Sequence, residues 1–78
     1  MSGLVKRSFS LAGHRTSVAL KAEFWTVLED AARARGGGLT RLVASVDAAR
    51  DGTRPLASAL RVLALREARI FPPRHPPA

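Results

Sequence analysis

The sequence predicts a mainly helical fold with one short strand, closed by pairing with a second copy of the chain. Two observations predict it. Residues Arg15 to Leu20 alternate, with Arg15, Ser17 and Ala19 against Thr16, Val18 and Leu20, the period of a strand with one buried face. From Ala22 onward the apolar residues recur instead at helical spacing, broken by Gly36-Gly37-Gly38 and Gly52. A lone strand leaves its backbone edges unpaired. The expected solution is an intertwined homodimer with a two-stranded antiparallel ribbon across its two-fold axis.

Length and composition agree with an assembly. At 78 residues, a single core is marginal without disulfides, a metal or oligomerisation. There is no cysteine, so neither a disulfide nor a thiolate metal site is available. His14 and His75 lack ligand spacing. No metal and no cofactor is expected, which leaves oligomerisation.

In chain order, residues 1–6 are expected to fray, residues 7–71 to form the domain, and residues 72–78, with four prolines, to form an extended tail. Arg7 to Leu11 also alternates, with Arg7, Phe9 and Leu11 on one side and Ser8 and Ser10 on the other. Ala12-Gly13 offers a turn, so this segment either folds back on 14–20 or extends as an arm; Ala-Gly is a weak hairpin signal beside Asn-Gly.

The first helix spans about 22–35. Phe24, Leu28, Ala31 and Ala32 share a face and Trp25 flanks it. Lys21 is a poor cap, and the three glycines that end the helix exceed what a C-cap needs, so a loose joint is expected. The second helix, about 40–50, carries Leu39, Leu42, Val43 and Val46 as a stripe, with Thr40 as its N-cap. The third, about 55–70, starts at Pro55. Leu56, Leu60, Leu63 and Ile70 form one face, and Val62 and Leu65 add a second, so burial against two surfaces is expected. Arg61, Arg66 and Arg69 fall on a solvated face. No internal repeat is read.

The net charge is +7, with eleven Arg and two Lys, and the pI is near 11.8. No acid precedes Lys21. Such a chain suits nucleic acid first and an anionic membrane second. No apolar run is long enough to span a membrane, and because residues 1–20 lack a continuous hydrophobic core no secretory signal is expected. There is no nucleophile–base set or carboxylate pair in a cleft-forming context, so no catalytic residue is assigned and an enzyme is not expected.

The run from Lys6 to Leu20 (KRSFSLAGHRTSVAL), then Glu23-Phe24-Trp25, then Ser58-Ala59-Leu60-Arg61-Val62, resembles a short bacterial family of ribbon-helix-helix proteins, of the Arc/MetJ/CopG type. The shared features are an Arg-Ser pair followed after four residues by Gly-His-x-Thr-Ser, a Glu-Phe-Trp helix opening and a Ser-Ala-Leu-Arg segment. The resemblance covers about residues 6–69. Lys21-Ala22, Gly36-Gly37-Gly38 and Ala57-Ser58 depart from the usual residues.

The resemblance implies a homodimer with its ribbon in the DNA major groove. Arg15, Ser17 and Ala19 would contact bases, and Leu39, Thr40 and Arg41 a phosphate. The chemistry is consistent: Arg suits a guanine edge, Ser donates or accepts, and Ala offers a methyl to thymine. Free amides at a helix start attract anions, and Lys6 and Arg7 add charge for the DNA backbone. Val18, Leu20, Phe24, Trp25, Leu28, Leu42, Val43, Val46 and Leu60 are the expected dimer core. The expected role is sequence-specific duplex DNA binding by a cytoplasmic, nucleoid-associated repressor or regulator, with a dimer of dimers on longer sites. The competing expectation is an antitoxin-like or adaptor protein whose helix 55–70 binds a protein partner. A third reading, non-specific RNA binding, lacks stacking aromatics.

Overall fold

The computed structural model describes residues 3–70. Five elements follow one another: β1 (Val5–Leu11), β2 (His14–Leu20), α1 (Ala22–Ala34), α2 (Leu39–Ala49) and α3 (Leu56–Ile70). The expected tail lies outside the described residues.

The first correction is to the strand count. β2 has a partner in its own chain: β1 pairs with it antiparallel, from Val5 opposite Leu20 to Leu11 opposite His14. The strand starts at Val5, so residues 5 and 6 belong to the sheet rather than to a frayed end, and Lys6 and Arg7 are not on an arm. Ala12 and Gly13 make this possible by both adopting positive φ, 50° and 83°. Two consecutive positive φ values give the turn whose twist matches a right-twisted hairpin. Gly13 takes this conformation freely, while Ala12 strains its Cβ against the backbone. We therefore expect Ala12→Asn to stabilise the chain by about 0.5–1 kcal/mol in thermal or denaturant unfolding, because Asn tolerates the left-handed region.

The hairpin is amphipathic by strand parity. Phe9, Leu11, Val18 and Leu20 are buried, and Ser8, Ser10, Arg15 and Ser17 are exposed. The buried face lies on the helices, with β1 against α2 and β2 against α3, while α1 packs on both other helices. Trp25 joins the layers. It is 1% exposed, its ring lies 5.8 Å from Phe9, and its Nε1 donates to the Val5 carbonyl at 2.8 Å.

The three-glycine joint is well defined, contrary to the loose connection expected. Arg35 caps α1, Gly36 has φ 76°, Gly36 N donates to the Arg33 carbonyl at 3.0 Å and Gly37 N to that of Ala32 at 3.1 Å. These are the two bonds of a Schellman ending, which satisfy carbonyls that the helix leaves free. Gly38 then serves as the N-cap of α2, and Leu42 N donates to its carbonyl at 3.2 Å. Thr40 is therefore inside the first turn and is not the cap. The turn before α2 fixes where the helix begins, and it outweighs a capping preference of about 1 kcal/mol.

After α2, the Asp51 carboxylate accepts from the amide and hydroxyl of Thr53, each at 3.0 Å. These bonds hold its pKa below the ordinary carboxylate value. Pro55 lends its carbonyl to Ala59 N at 3.1 Å, and α3 starts one residue later than expected.

Leu56, Leu60 and Ala64 of α3 are buried, as is Glu67, at 7% exposed, while Leu65 is 59% exposed. The helix thus buries one face, not two. The Glu67 carboxylate accepts from Arg35 at 3.0 Å, so the one buried acid among the described residues is paired. Of the residues expected in a dimer core, Val18, Leu20, Trp25, Leu28, Leu42, Val43 and Leu60 are buried within this single chain, and Phe24 and Val46 pack half-buried against them.

Candidate nucleic-acid interface

The register of the hairpin fixes what its outer face displays. Three cross-strand rows point away from the helices: Lys6 with Ala19, Ser8 with Ser17, and Ser10 with Arg15. Five of these side chains are exposed and Ala19 is half-buried. Ser8 and Ser17 are 3.0 Å apart, oxygen to oxygen. Two hydroxyls so bonded retain one free proton to donate and several lone pairs to accept. The face carries Lys6 and Arg15 and no acidic side chain. One face of the ribbon is thus buried on the core and the other is polar and basic.

Arg7 does not share that face. Its position, opposite Val18, turns it toward the helices. Its guanidinium donates to Glu29 at 2.7 Å and lies 5.1 Å from the centroid of the Trp25 ring, a cation–π distance. It clamps β1 to α1. Strand parity places it on the face opposite Lys6. His14 is exposed beside the turn.

Leu39, Thr40 and Arg41 are together at the start of α2, on the helical layer and not on the ribbon. Leu39 is half-buried against the core, while Thr40 and Arg41 are exposed. A shallow cavity of about 230 Å³ lies beside them, lined by Ala32, Arg35, Gly37, Gly38, Arg41, Leu42 and Ser45. The first amides of α2 and two guanidiniums thus surround one concave surface, although Arg35 is already paired with Glu67.

A second groove, about 290 Å³, runs between α2 and α3. Val46, Ala49, Ala59, Val62 and Leu63 form its floor, and Arg50, Asp51, Arg54 and Arg66 its rim. Among the described residues no group of three His, Asp or Glu side chains could hold a metal. No helix among them is long and apolar enough to cross a membrane.

The order of these elements, a ribbon followed by helix, glycine turn and helix, coincides with a family match. The ribbon-helix-helix domain family matches residues 4–68. The chain belongs to the ribbon-helix-helix domain family. The match takes in both strands and nearly all of α3, so in this ribbon-helix-helix chain the third helix falls inside the matched domain. No curated protein and no solved structure was found to match.

What sequence reasoning missed is on β1. Ser8 and Ser10 stand beside Arg15 and Ser17 on the exposed face, a placement that depends on whether residues 7–11 fold back. The signal was the same period of two that revealed β2.

Proposed function

We propose that this chain binds double-stranded DNA through the outer face of its ribbon and acts as a transcriptional regulator, repressing where its site overlaps a promoter. The observation that carries the reading is the face itself: a two-stranded ribbon, basic and hydroxyl-bearing on one side, anchored by a buried apolar side. A two-stranded ribbon fits the major groove. Arg15 approaches a guanine edge, Ser17 a donor or acceptor, and Ala19 a thymine methyl. Leu39, Thr40 and Arg41 hold a backbone phosphate at the start of α2, and Lys6 adds attraction on the DNA-facing side. Arg7 is left out of the DNA-binding set because Glu29 and Trp25 already hold it. In this reading the protein works in the cytoplasm, at the nucleoid, as a homodimer, and two copies set two ribbons on neighbouring sites. Leu4, at 63% exposed, and Leu65 offer apolar surface for the copies to cover.

The test is enrichment from a random-sequence duplex library at low and moderate salt, repeated with Arg15→Ala. The wild-type chain should enrich a defined site. The variant should stay folded, since Arg15 is exposed, and should discriminate about 5- to 150-fold less at the base that Arg15 contacts. Unfolding of the variant, or an unchanged enriched site, would refute the assignment.

A second reading has its own observation. The groove between α2 and α3 and the exposed Leu65 give α3 a surface for a protein partner, as an antitoxin or adaptor would have. Stable co-purification that survives substitution of Arg15, together with no duplex enrichment by the wild type, would favour it.

A further inference from the structure

We propose that one chain carries a complete ribbon with internal two-fold character, so that Lys6, Ser8 and Ser10 read bases as the counterparts of Arg15, Ser17 and Ala19. This rests on the DNA-binding reading above. An antiparallel pair has a local two-fold axis between any two directly opposed residues. Ser8 faces Ser17, and the axis between them carries each residue of β1 onto the residue nine further along the chain. Lys6 falls on Arg15, Arg7 on Thr16, Ser8 on Ser17, Phe9 on Val18, Ser10 on Ala19 and Leu11 on Leu20. Lys-Arg-Ser-Phe-Ser-Leu and Arg-Thr-Ser-Val-Ala-Leu are thus a short internal repeat, visible only once the hairpin register is known.

The correspondence is chemical at five of the six positions. On the outer face it joins cation to cation, hydroxyl to hydroxyl, and small to small. On the inner face it joins buried apolar to buried apolar twice, Phe9 with Val18 and Leu11 with Leu20. The exception, Arg7 with Thr16, is where β1 makes its private contact with Trp25 and Glu29. The Ser8–Ser17 hydrogen bond lies on the axis. A ribbon assembled from two chains has such symmetry by necessity; here the hairpin reproduces it within one chain.

The dimensions suit a short recognition core. The outer rows are four residues apart along each strand, about 14 Å at strand rise, or roughly four base pairs at 3.4 Å each. Lys6 and Arg15 occupy diagonally opposite ends of that span, where each reaches a guanine edge by the same chemistry. The expected core is an imperfect inverted repeat, because Lys stands for Arg and Ser for Ala across the axis.

The experiment compares wild-type, Lys6→Ala and Arg15→Ala chains in duplex enrichment, with circular dichroism to confirm that each is folded; both side chains are exposed. Lys6→Ala should relax base preference at one end of the core, and Arg15→Ala at the other end only, each by about 5- to 150-fold. Ser10→Ala should make the enriched core more symmetric. A two-chain ribbon predicts otherwise, since Arg15 and its copy would stand at both ends; relaxation at both ends by Arg15→Ala would overturn the proposal. So would a Lys6→Ala variant that weakens all sequences uniformly and lowers the salt dependence, which marks a phosphate contact. A wild-type chain that enriches nothing would overturn the DNA reading itself, and this proposal with it.

Discussion

Replacing Trp25 by alanine should cost about 3–5 kcal/mol in denaturant unfolding, the range for emptying a buried aromatic site. Trp25 is a severe case because four roles meet in it. It fills the space between hairpin and helices, meets the Phe9 ring, supports the Arg7 guanidinium and satisfies the Val5 carbonyl. Since a domain of this size holds only about 4–12 kcal/mol in total, the variant should lose between a quarter and nearly all of its stability, with an unfolding midpoint shifted to much lower denaturant. Trp25→Phe separates the contributions. It keeps most of the packing and loses the donor, so its loss should be about 1–3 kcal/mol, the cost of an unmade, part-buried hydrogen bond plus a small void. The first protection to disappear in hydrogen exchange should be that of β1, because the bond to Val5 and the Arg7 stack both hold that strand. Equal loss throughout the chain would show instead that hairpin and helices unfold as one unit.

The second large effect is expected at Leu60. It is fully buried on α3, the helix beyond the two that follow a ribbon in the minimal form of this fold. Leu60→Ala should destabilise by about 2–5 kcal/mol, whereas Leu65→Ala, on the same helix but in solvent, should change stability by no more than about 0.5 kcal/mol. The contrast checks that α3 is part of the core and that its buried face is the one through Leu56, Leu60 and Ala64. The Arg35–Glu67 bond adds to the same docking, since it fastens α3 to the end of α1. A small loss at Leu60 would mean that α3 is peripheral and that the ribbon rests on α1 and α2 alone.

Much of this architecture is legible in the sequence, and the reasons are local. The period of two from Arg15 to Leu20 correctly separated the buried Val18 and Leu20 from the exposed Arg15 and Ser17. The helical stripes located Leu28, Ala31, Leu42, Val43 and Leu60 in the core. Three features resisted. The hairpin depended on a left-handed alanine, and Ala12 gives no sign that it will accept that conformation. Thr40 has the chemistry of a cap, but the Schellman ending of α1 sets the path of the chain and leaves that role to Gly38. The third feature was Arg7: a cation in a basic segment looks like a ligand for DNA, and only the position of Trp25 and Glu29, distant in sequence, gives it another use. In each case the deciding contact is tertiary, or is a backbone angle that side-chain preference encodes weakly. The candidate interface was legible on β2, and hidden on β1 for the same reason as the turn.

The closed hairpin also changes how the protein responds to scarcity. A ribbon shared between two chains exists only to the extent that they meet, and its population falls on dilution by mass action. A ribbon joined by a two-residue turn forms by a unimolecular step, and hairpins of this length close on a timescale of about microseconds. The surface displayed by Lys6, Ser8, Ser10, Arg15, Ser17 and Ala19 is then present on every folded copy, however dilute the protein. Any second copy is recruited by a ribbon that is already made.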